Sequence, residues 1–396
     1  MFRWLSQTIT VTLLSIRTIP QRLSSSIVAA VGIAGVVVVL VSVLSISEGF
    51  RATLADAGSP SRAMILRNGS DSEMTSGLTG PEVDIIKTAP GLARAGGAPM
   101  AAGELFVIID LNKRSTGSPA NVPLRGVEPM SAPIRDEMKI VEGRMLTFGT
   151  NEVVVGRAAT HQFAGIDLGS EYKSGQITLK VVGVFTTNGS VSESEIWCDA
   201  RVLQGAYRRG NSYQSVLAKL DSPGSFDSFK DWLTTNPQLN VGVRRESEYY
   251  AAQTRVMTSL INSIGFVIAG LMGVGAVFGA LLTMYTAVAA RTREIATLRA
   301  LGFNTISVVI SVLGESLALA GLGGLLGGLL AYLGFNGYET ATMNFQSFSQ
   351  VAFAFRVTPQ LLTLGVVYAL TMGFVGGLFP AIRAARLPIA TALREL

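Results

Sequence analysis

One cysteine and one histidine in 396 residues leave little room for the commonest side-chain chemistries. Cys198 has no second thiol within the chain, so no internal disulfide forms, and it reads as a small buried thiol. His161 would have to serve alone in any Ser-His-Asp or Cys-His arrangement, and no histidine pair offers a zinc motif. A structural role is the reading for it, with no catalytic residue and no metal site in view. A G-x-x-x-x-G-K-[ST] loop is also missing, so ATP, if it is used, is bound by another polypeptide. Charge itself is scarce: 15% of residues are charged and 48% are hydrophobic, which is unusual for a soluble protein of this length.

The scarcity is local. Leu23 to Ser47, Val256 to Ala290 and Val357 to Ile382 contain no Asp, Glu, Lys or Arg, and Ala300 to Gly337 contains only Glu315. A bilayer core of about 30 Å needs roughly 20 apolar helical residues, so each stretch is long enough to span it. A signal peptide is a poor match for the first, whose apolar run exceeds the usual length and is followed by no A-x-A site.

A net charge of +5 could point to nucleic acid, so its location matters. Between Arg51 and Arg255, 22 basic residues balance 22 acidic ones, and the whole excess lies outside that block. A balanced polar block with no basic run argues against a phosphate-backbone partner. Arg3, Arg17 and Arg22 precede the first span, Arg291, Arg293 and Arg299 lie between the second and third, and Arg383, Arg386 and Arg394 follow the fourth. By the positive-inside rule both termini and the Arg291 loop are expected in the cytoplasm, with the polar block outside.

The expected fold is therefore an α-helical four-span transmembrane domain joined to an α+β extracytoplasmic domain. Residues 1–22 read as an amphipathic interfacial helix, 23–49 as the first span and 50–253 as the outer domain. Within it, strand-helix-strand patterns over 58–111 and 212–250 suggest the two halves of a split ferredoxin-like subdomain, with a β-rich subdomain inserted at 112–211. Residues 254–290 read as a stalk and second span, because the 35 uncharged residues would extend about 52 Å as one helix, beyond the bilayer core. A cytoplasmic helix at 291–304, a third span at 305–335, a short outer loop at 336–357, a fourth span at 358–382 and a tail at 383–396 complete the chain.

Glycines crowd the spans. Gly275 and Gly279 form one G-x-x-x-G pair, while Gly323, Gly324, Gly327 and Gly328 form two overlapping pairs, a spacing that lets helix backbones approach closely in lipid. Packing within one chain and a seam between two copies are both open readings. Glu315 is the acidic residue inside a span, a costly position that suggests either a proton site or an interhelical bond, and the lack of a partner carboxylate favours the bond.

The loop Arg291-Thr292-Arg293-Glu294-Ile295-Ala296-Thr297-Leu298-Arg299-Ala300-Leu301-Gly302-Phe303 has helix formers, an apolar stripe at Ile295, Leu298 and Leu301, a basic rim and a Gly stop. Such a helix suits docking into a protein groove, and one lying on anionic lipid would use the same arginines. With this loop, the span from Glu315 into its glycines, and Phe379-Pro380-Ala381-Ile382-Arg383-Ala384-Ala385-Arg386-Leu387-Pro388 leading to Ala392-Leu393-Arg394, the chain resembles the MacB/FtsX-like permeases of ABC transporters.

The resemblance implies a homodimeric permease of a bacterial inner membrane, each copy paired with a cytoplasmic ABC ATPase that binds Mg-ATP. Arg291, Arg293, Glu294, Leu298 and Arg299 would form the coupling helix received by the ATPase. MacB itself carries a fused ATPase, which is not seen ahead of the interfacial helix, so a separate ATPase is expected, with a periplasmic adaptor and an outer-membrane duct as further partners. Three functions fit: efflux of a small amphiphile, peptide or antibiotic by mechanotransmission, Lol-type release of lipoprotein or lipid, and FtsX-like signalling to a cell-wall hydrolase. Efflux is preferred, and the signalling reading is weakened by an outer domain larger than an FtsX-like activator usually has.

Overall fold

A computed structural model describes Thr12, residues 23–54, 58–344, 348–386 and Pro388. The interfacial helix expected over 1–22 and the tail beyond Pro388 lie outside the described residues, Thr12 excepted. In chain order the principal elements are α1 (Leu23–Leu54), β1 (Arg62–Arg67), α2 (Gly80–Ile86), β2 (Ala101–Asn112), β3 (Pro119–Val127), β4 (Lys139–Gly143), β5 (Glu152–Gly156), α3 (Arg157–Gln162), β6 (Glu171–Ser174), β7 (Ile177–Thr186), β8 (Ile196–Asp199) and α4 (Ala200–Ala206). They continue with β9 (Ser215–Lys219), α5 (Phe226–Thr235), β10 (Val241–Arg245), α6 (Glu246–Ala290), α7 (Thr292–Ala300), α8 (Thr305–Phe335), β11 (Glu339–Asn344), β12 (Ser349–Ala354) and α9 (Pro359–Ala385). Two units result: a helical one of Met1–Glu48, Ser259–Tyr338 and Phe355–Leu396, and an α+β one of Gly49–Thr258 and Glu339–Ala354.

In the α+β unit the first four long strands to meet run in the order β10-β1-β9-β2, all antiparallel. Counted along the chain that is 4-1-3-2, with α2 after the first strand and α5 after the third, the ferredoxin-like arrangement. Alternation explains it: Ile65, Val216, Ala218 and Val243 face one side of the sheet and bury against Val83 and Ile86 of α2 and Phe229 and Leu233 of α5. Full burial of a side chain such as Phe229 or Leu233 is worth roughly 2–3 kcal/mol.

The two subdomains share a strand. Ala101–Glu104 of β2 pairs with β9, and Leu105–Asn112 of the same strand pairs with β3. The inserted subdomain carries the sheet onward as β3-β8-β5-β7-β4, with β6 on β7, mixing parallel pairs (β3 with β8, β5 with β7) and antiparallel ones. One side of it closes over Val122, Leu124, Phe163, Leu179 and Cys198, and the other over Val154, Phe185 and Trp197. Cys198 is buried, and burial pushes its thiol well above the ordinary range, so it is unreactive.

Among the described residues four helices are long and apolar enough to cross a membrane: those of α1, α6, α8 and α9. Lipid is as apolar as leucine, so close backbone approach has to hold them together. A methyl group added at Gly323 or Gly327 would lie 2.7 Å and 2.6 Å from the carbonyl oxygens of Ala30 and Ala34 on α1, and one at Gly324 would lie 2.7 Å from the Ala369 Cβ on α9. Gly328 abuts Leu362, Gly376 abuts Ala280, and Gly377 abuts Ser316. These glycines are thus consumed in packing within the chain. Gly275 and Gly279 differ, since nothing lies within 4 Å of the position a side chain would take.

α6 begins at Glu246, ten residues before the charge-free stretch, and its 45 residues rise about 68 Å. Between α8 and α9, where a plain loop is the sequence expectation, the chain forms the β11–β12 hairpin, and that hairpin belongs to the α+β unit.

Candidate coupling site

The site sits where α6 gives way to α7. Arg291 takes a non-helical conformation (φ −112°, ψ 15°), which ends α6 and lets α7 start at a new angle; its carbonyl accepts from the Ile295 N–H at 2.9 Å. At the far end Gly302 adopts φ +90°, a left-handed turn that suits glycine. Gly302 N–H then reaches the Arg299 carbonyl at 3.1 Å and Phe303 N–H the Leu298 carbonyl at 3.1 Å, closing the helix. Asn304 caps α8 by accepting from the Ile306 N–H at 3.3 Å.

Arg291 joins the pieces. Its Nε donates to Glu294 Oε2 at 2.9 Å and its Nη1 to Glu315 Oε2 at 3.1 Å, so one guanidinium links α7 to the middle of α8. Side-chain exposures of 13% for Arg291 and 8% for Glu315, against 62% for Glu294, place the second bond in a protected setting and the first at the surface. Glu315 therefore has a cationic partner, and that partner comes from the loop and not from another span. Beside the pair lies a cavity of about 30 Å³ lined by Met284, Leu298, Ser311 and Glu315, room for about one water.

The apolar stripe of α7 points differently from the sequence expectation. Ile295 is buried with Val288, Val308, Val312, Ala381 and Ala384, and Leu298 is half-buried, whereas Leu301 is 72% exposed. Most of the stripe therefore fastens α7 to its own chain. The face left outward carries Arg293, Glu294 and Thr297, with Arg299 half-buried at its border. Nearby, Arg383 in the last turn of α9 lies over the Tyr285 ring at 5.5 Å, a cation–π contact that sequence reading did not find because the two are 98 positions apart.

A second polar cluster, inside the α+β unit, is also absent from the sequence reading. Arg125 on β3 bonds to three carboxylates, Glu73 at 2.7 Å, Glu104 at 2.8 Å and Glu195 at 2.7 Å, all of them buried. Arg135 holds the other face of Glu104 at 2.6 Å. Burial alone would raise the Glu104 carboxyl, but Arg135 and then Arg125 overcome it and bring it down to about 2. The foot of α6 joins the same region: Arg62 bonds to Glu246 at 2.5 Å and to Glu137 at 2.8 Å, and Tyr249 Oη accepts from the Glu73 N–H at 3.2 Å. His161 lies exposed on α3, 3.9 Å from Glu339. Among the described residues no group of His, Cys, Asp and Glu has metal-binding geometry.

Comparison with known proteins gives these features a family. The MacB-like periplasmic core domain matches residues 26–236, more than half of the chain, and the FtsX-like permease C-terminal domain matches residues 266–389. No curated protein matches. Among solved structures, the periplasmic region of MacB from Actinobacillus actinomycetemcomitans is similar at 12% identity and a TM-score of 0.38, covering 49% of this chain and 92% of that one. The extracellular domain of the noncanonic ABC-type transporter YknZ from Gram-positive bacteria is similar at 16% identity and a TM-score of 0.35, covering 46% and 99%. With four membrane-length helices, a ferredoxin-like subdomain carrying a β-rich insertion, and both domain matches in the same order along the sequence, the chain belongs to the MacB/FtsX-like family of ABC transporter permeases.

Proposed function

We propose that the chain is the permease subunit of an ATP-driven transporter in a bacterial inner membrane, with its termini cytoplasmic and its α+β unit periplasmic. A cytoplasmic ABC ATPase binds and hydrolyses Mg-ATP and grips α7. The observation that carries this reading is the seating of α7: one face is buried against α6, α8 and α9, and the other offers Arg293 and Glu294 to a partner. The Arg291 bridge to Glu315 supports it, because a push on α7 reaches α8 through a bonded contact. Movement then passes along α6 into the α+β unit and drives efflux of a small amphiphile, peptide or antibiotic through a periplasmic adaptor and an outer-membrane duct.

The working form in this reading is a homodimer joined along α6. Leu260, Ile264, Val267, Leu271, Val274, Phe278 and Leu282 recur at three- and four-residue spacing and are all at least half exposed, beside the unoccupied Gly275 and Gly279. Purifying the tagged permease under mild detergent and identifying what accompanies it tests the function. An ATPase with an adaptor supports efflux, an acylated protein in the adaptor's place indicates lipoprotein release, and a cell-wall hydrolase indicates signalling.

A further inference from the structure

The β11–β12 hairpin is inserted between α8 and α9, and its own bonds place it firmly in the α+β unit. Along β12 the residues alternate: Ser349, Val351 and Phe353 are buried, at 2%, 1% and 5% exposure, and the residues between them are not. Phe353 meets Phe50 edge to face with ring centres 5.6 Å apart. Four polar contacts add to that seat. Ala352 N–H donates to Ser194 Oγ at 2.9 Å, Asn121 Nδ2 to the Phe348 carbonyl at 2.7 Å, and Asn344 Nδ2 to Gln253 Oε1 at 3.0 Å. The fourth is the long His161 to Glu339 approach already noted. Gln253 stands two turns into α6, so the hairpin touches both the inserted subdomain and the foot of that helix.

The legs of the hairpin are equally firm on the helical side. Phe355 N–H donates to the Tyr338 carbonyl at 2.9 Å and Gly337 N–H to the Phe355 carbonyl at 2.9 Å, continuing the ladder. Val357 N–H donates to Asn336 Oδ1 at 3.0 Å, and the Phe335 and Phe355 rings stack with centres 6.2 Å apart. The backbone ladder thus continues past both legs of the hairpin, from the Glu339–Ala354 pair to Tyr338 and Phe355. A slack loop absorbs displacement; a bonded ladder passes it on.

We infer that this hairpin is a force-bearing strap: Asn344, Val351 and Phe353 are positioning residues through which movement of α8 and α9 reaches the α+β unit, in parallel with α1 and α6. The inference rests on the reading that a partner ATPase drives the chain. It makes α8 direct, since Arg291 meets Glu315 partway along that helix and the strap follows its C-terminal end.

The test uses the full-length permease purified with its ATPase, compared by hydrogen–deuterium exchange without nucleotide and after vanadate trapping with ATP. Inserting Gly-Gly-Ser after Tyr338 and again after Ala354 gives the strap slack while leaving its seat intact. The nucleotide-dependent change in exchange across residues 119–199 is expected to fall at least twofold, with ATP hydrolysis and melting temperature kept. An undiminished change overturns the strap. Where the insertions prevent assembly, Asn344→Ala combined with Ser194→Ala carries the same expectation, and Ser194→Thr should restore half or more of the signal. A disulfide between Ser194→Cys and Ala352→Cys should leave the change intact; its loss would show that the hairpin has to leave its seat, and would also overturn the strap. Should the unaltered complex show no nucleotide-dependent change anywhere, the ATP-driven reading itself fails, which is a separate result.

Discussion

Arg291 reaches two carboxylates of opposite circumstance, one in solvent and one inside a span. Replacing Glu315 by Ala leaves a mostly buried guanidinium short of its counter-charge, and breaking such a pair costs about 3 kcal/mol. Glu315→Gln keeps an acceptor oxygen and should cost about 1 kcal/mol, with transport retained. Chemical denaturation of the detergent-solubilised protein checks the order, and loss of transport in a well-assembled Glu315→Gln would instead assign the carboxylate a proton-carrying role. In the α+β unit Arg125→Met would leave Glu73, Glu104 and Glu195 facing one another, and should destabilise the unit by about 3–5 kcal/mol. The folded Glu104 carboxyl lies near 2, below its unfolded value of about 4.3. Its contribution is thus complete above pH about 5 and is lost as pH falls toward 2, by an amount of order 3 kcal/mol. Thermal melting between pH 6 and 2 should show this loss, and Glu104→Gln should flatten it.

At the scale of elements, the glycine pairs separate by what surrounds them. Gly323→Leu would drive a side chain into the Ala30 carbonyl and Ile33, so the helical unit should fail to assemble. Gly275→Leu and Gly279→Leu meet open space and should leave a folded monomer that sediments or migrates as a dimer at least tenfold less readily; an unchanged dimer would place the seam elsewhere. Their spacing in the sequence is the same, which is why sequence alone left both readings open. The ferredoxin-like halves were legible because β1, α2, β2 and β9, α5, β10 each show clean changes of hydrophobic period over short distances. The β11–β12 hairpin was not, because Glu339-Thr340-Ala341-Thr342-Met343-Asn344 has little apolar alternation of its own and owes its structure to the surface it covers. The start expected for α6 at 254 falls eight residues short for a related reason: Glu246 and Glu248 lie outside the charge-free window although they do not interrupt a helix.

The molecule as a whole is threaded between its two units at four places, Glu48 to Gly49, Thr258 to Ser259, Tyr338 to Glu339 and Ala354 to Phe355. Counting charges gives 22 against 22 for the polar block and so argues against nucleic acid, yet the same count hides the Arg125 cluster. Glu73, Glu104, Arg125 and Glu195 are spread over more than 120 positions, and only the folded register of β2, β3 and the segment before β8 brings them together. The loop over 291–303 was legible as a helix with a glycine stop, while the direction of its faces depended on α6, α8 and α9 packing against it. In the proposed reading the input falls on the α7 face that carries Arg293, Glu294 and Thr297.

The most direct measurement is therefore capture of an ATP-hydrolysing partner by the full-length permease, compared with the double variant Arg293→Glu and Glu294→Lys. The account predicts that the unaltered chain retrieves an ABC ATPase and that the variant, equally folded, retrieves at least tenfold less or leaves hydrolysis uncoupled from transport. Equal capture with normal transport by the variant, or no ATPase with the unaltered chain, would contradict it.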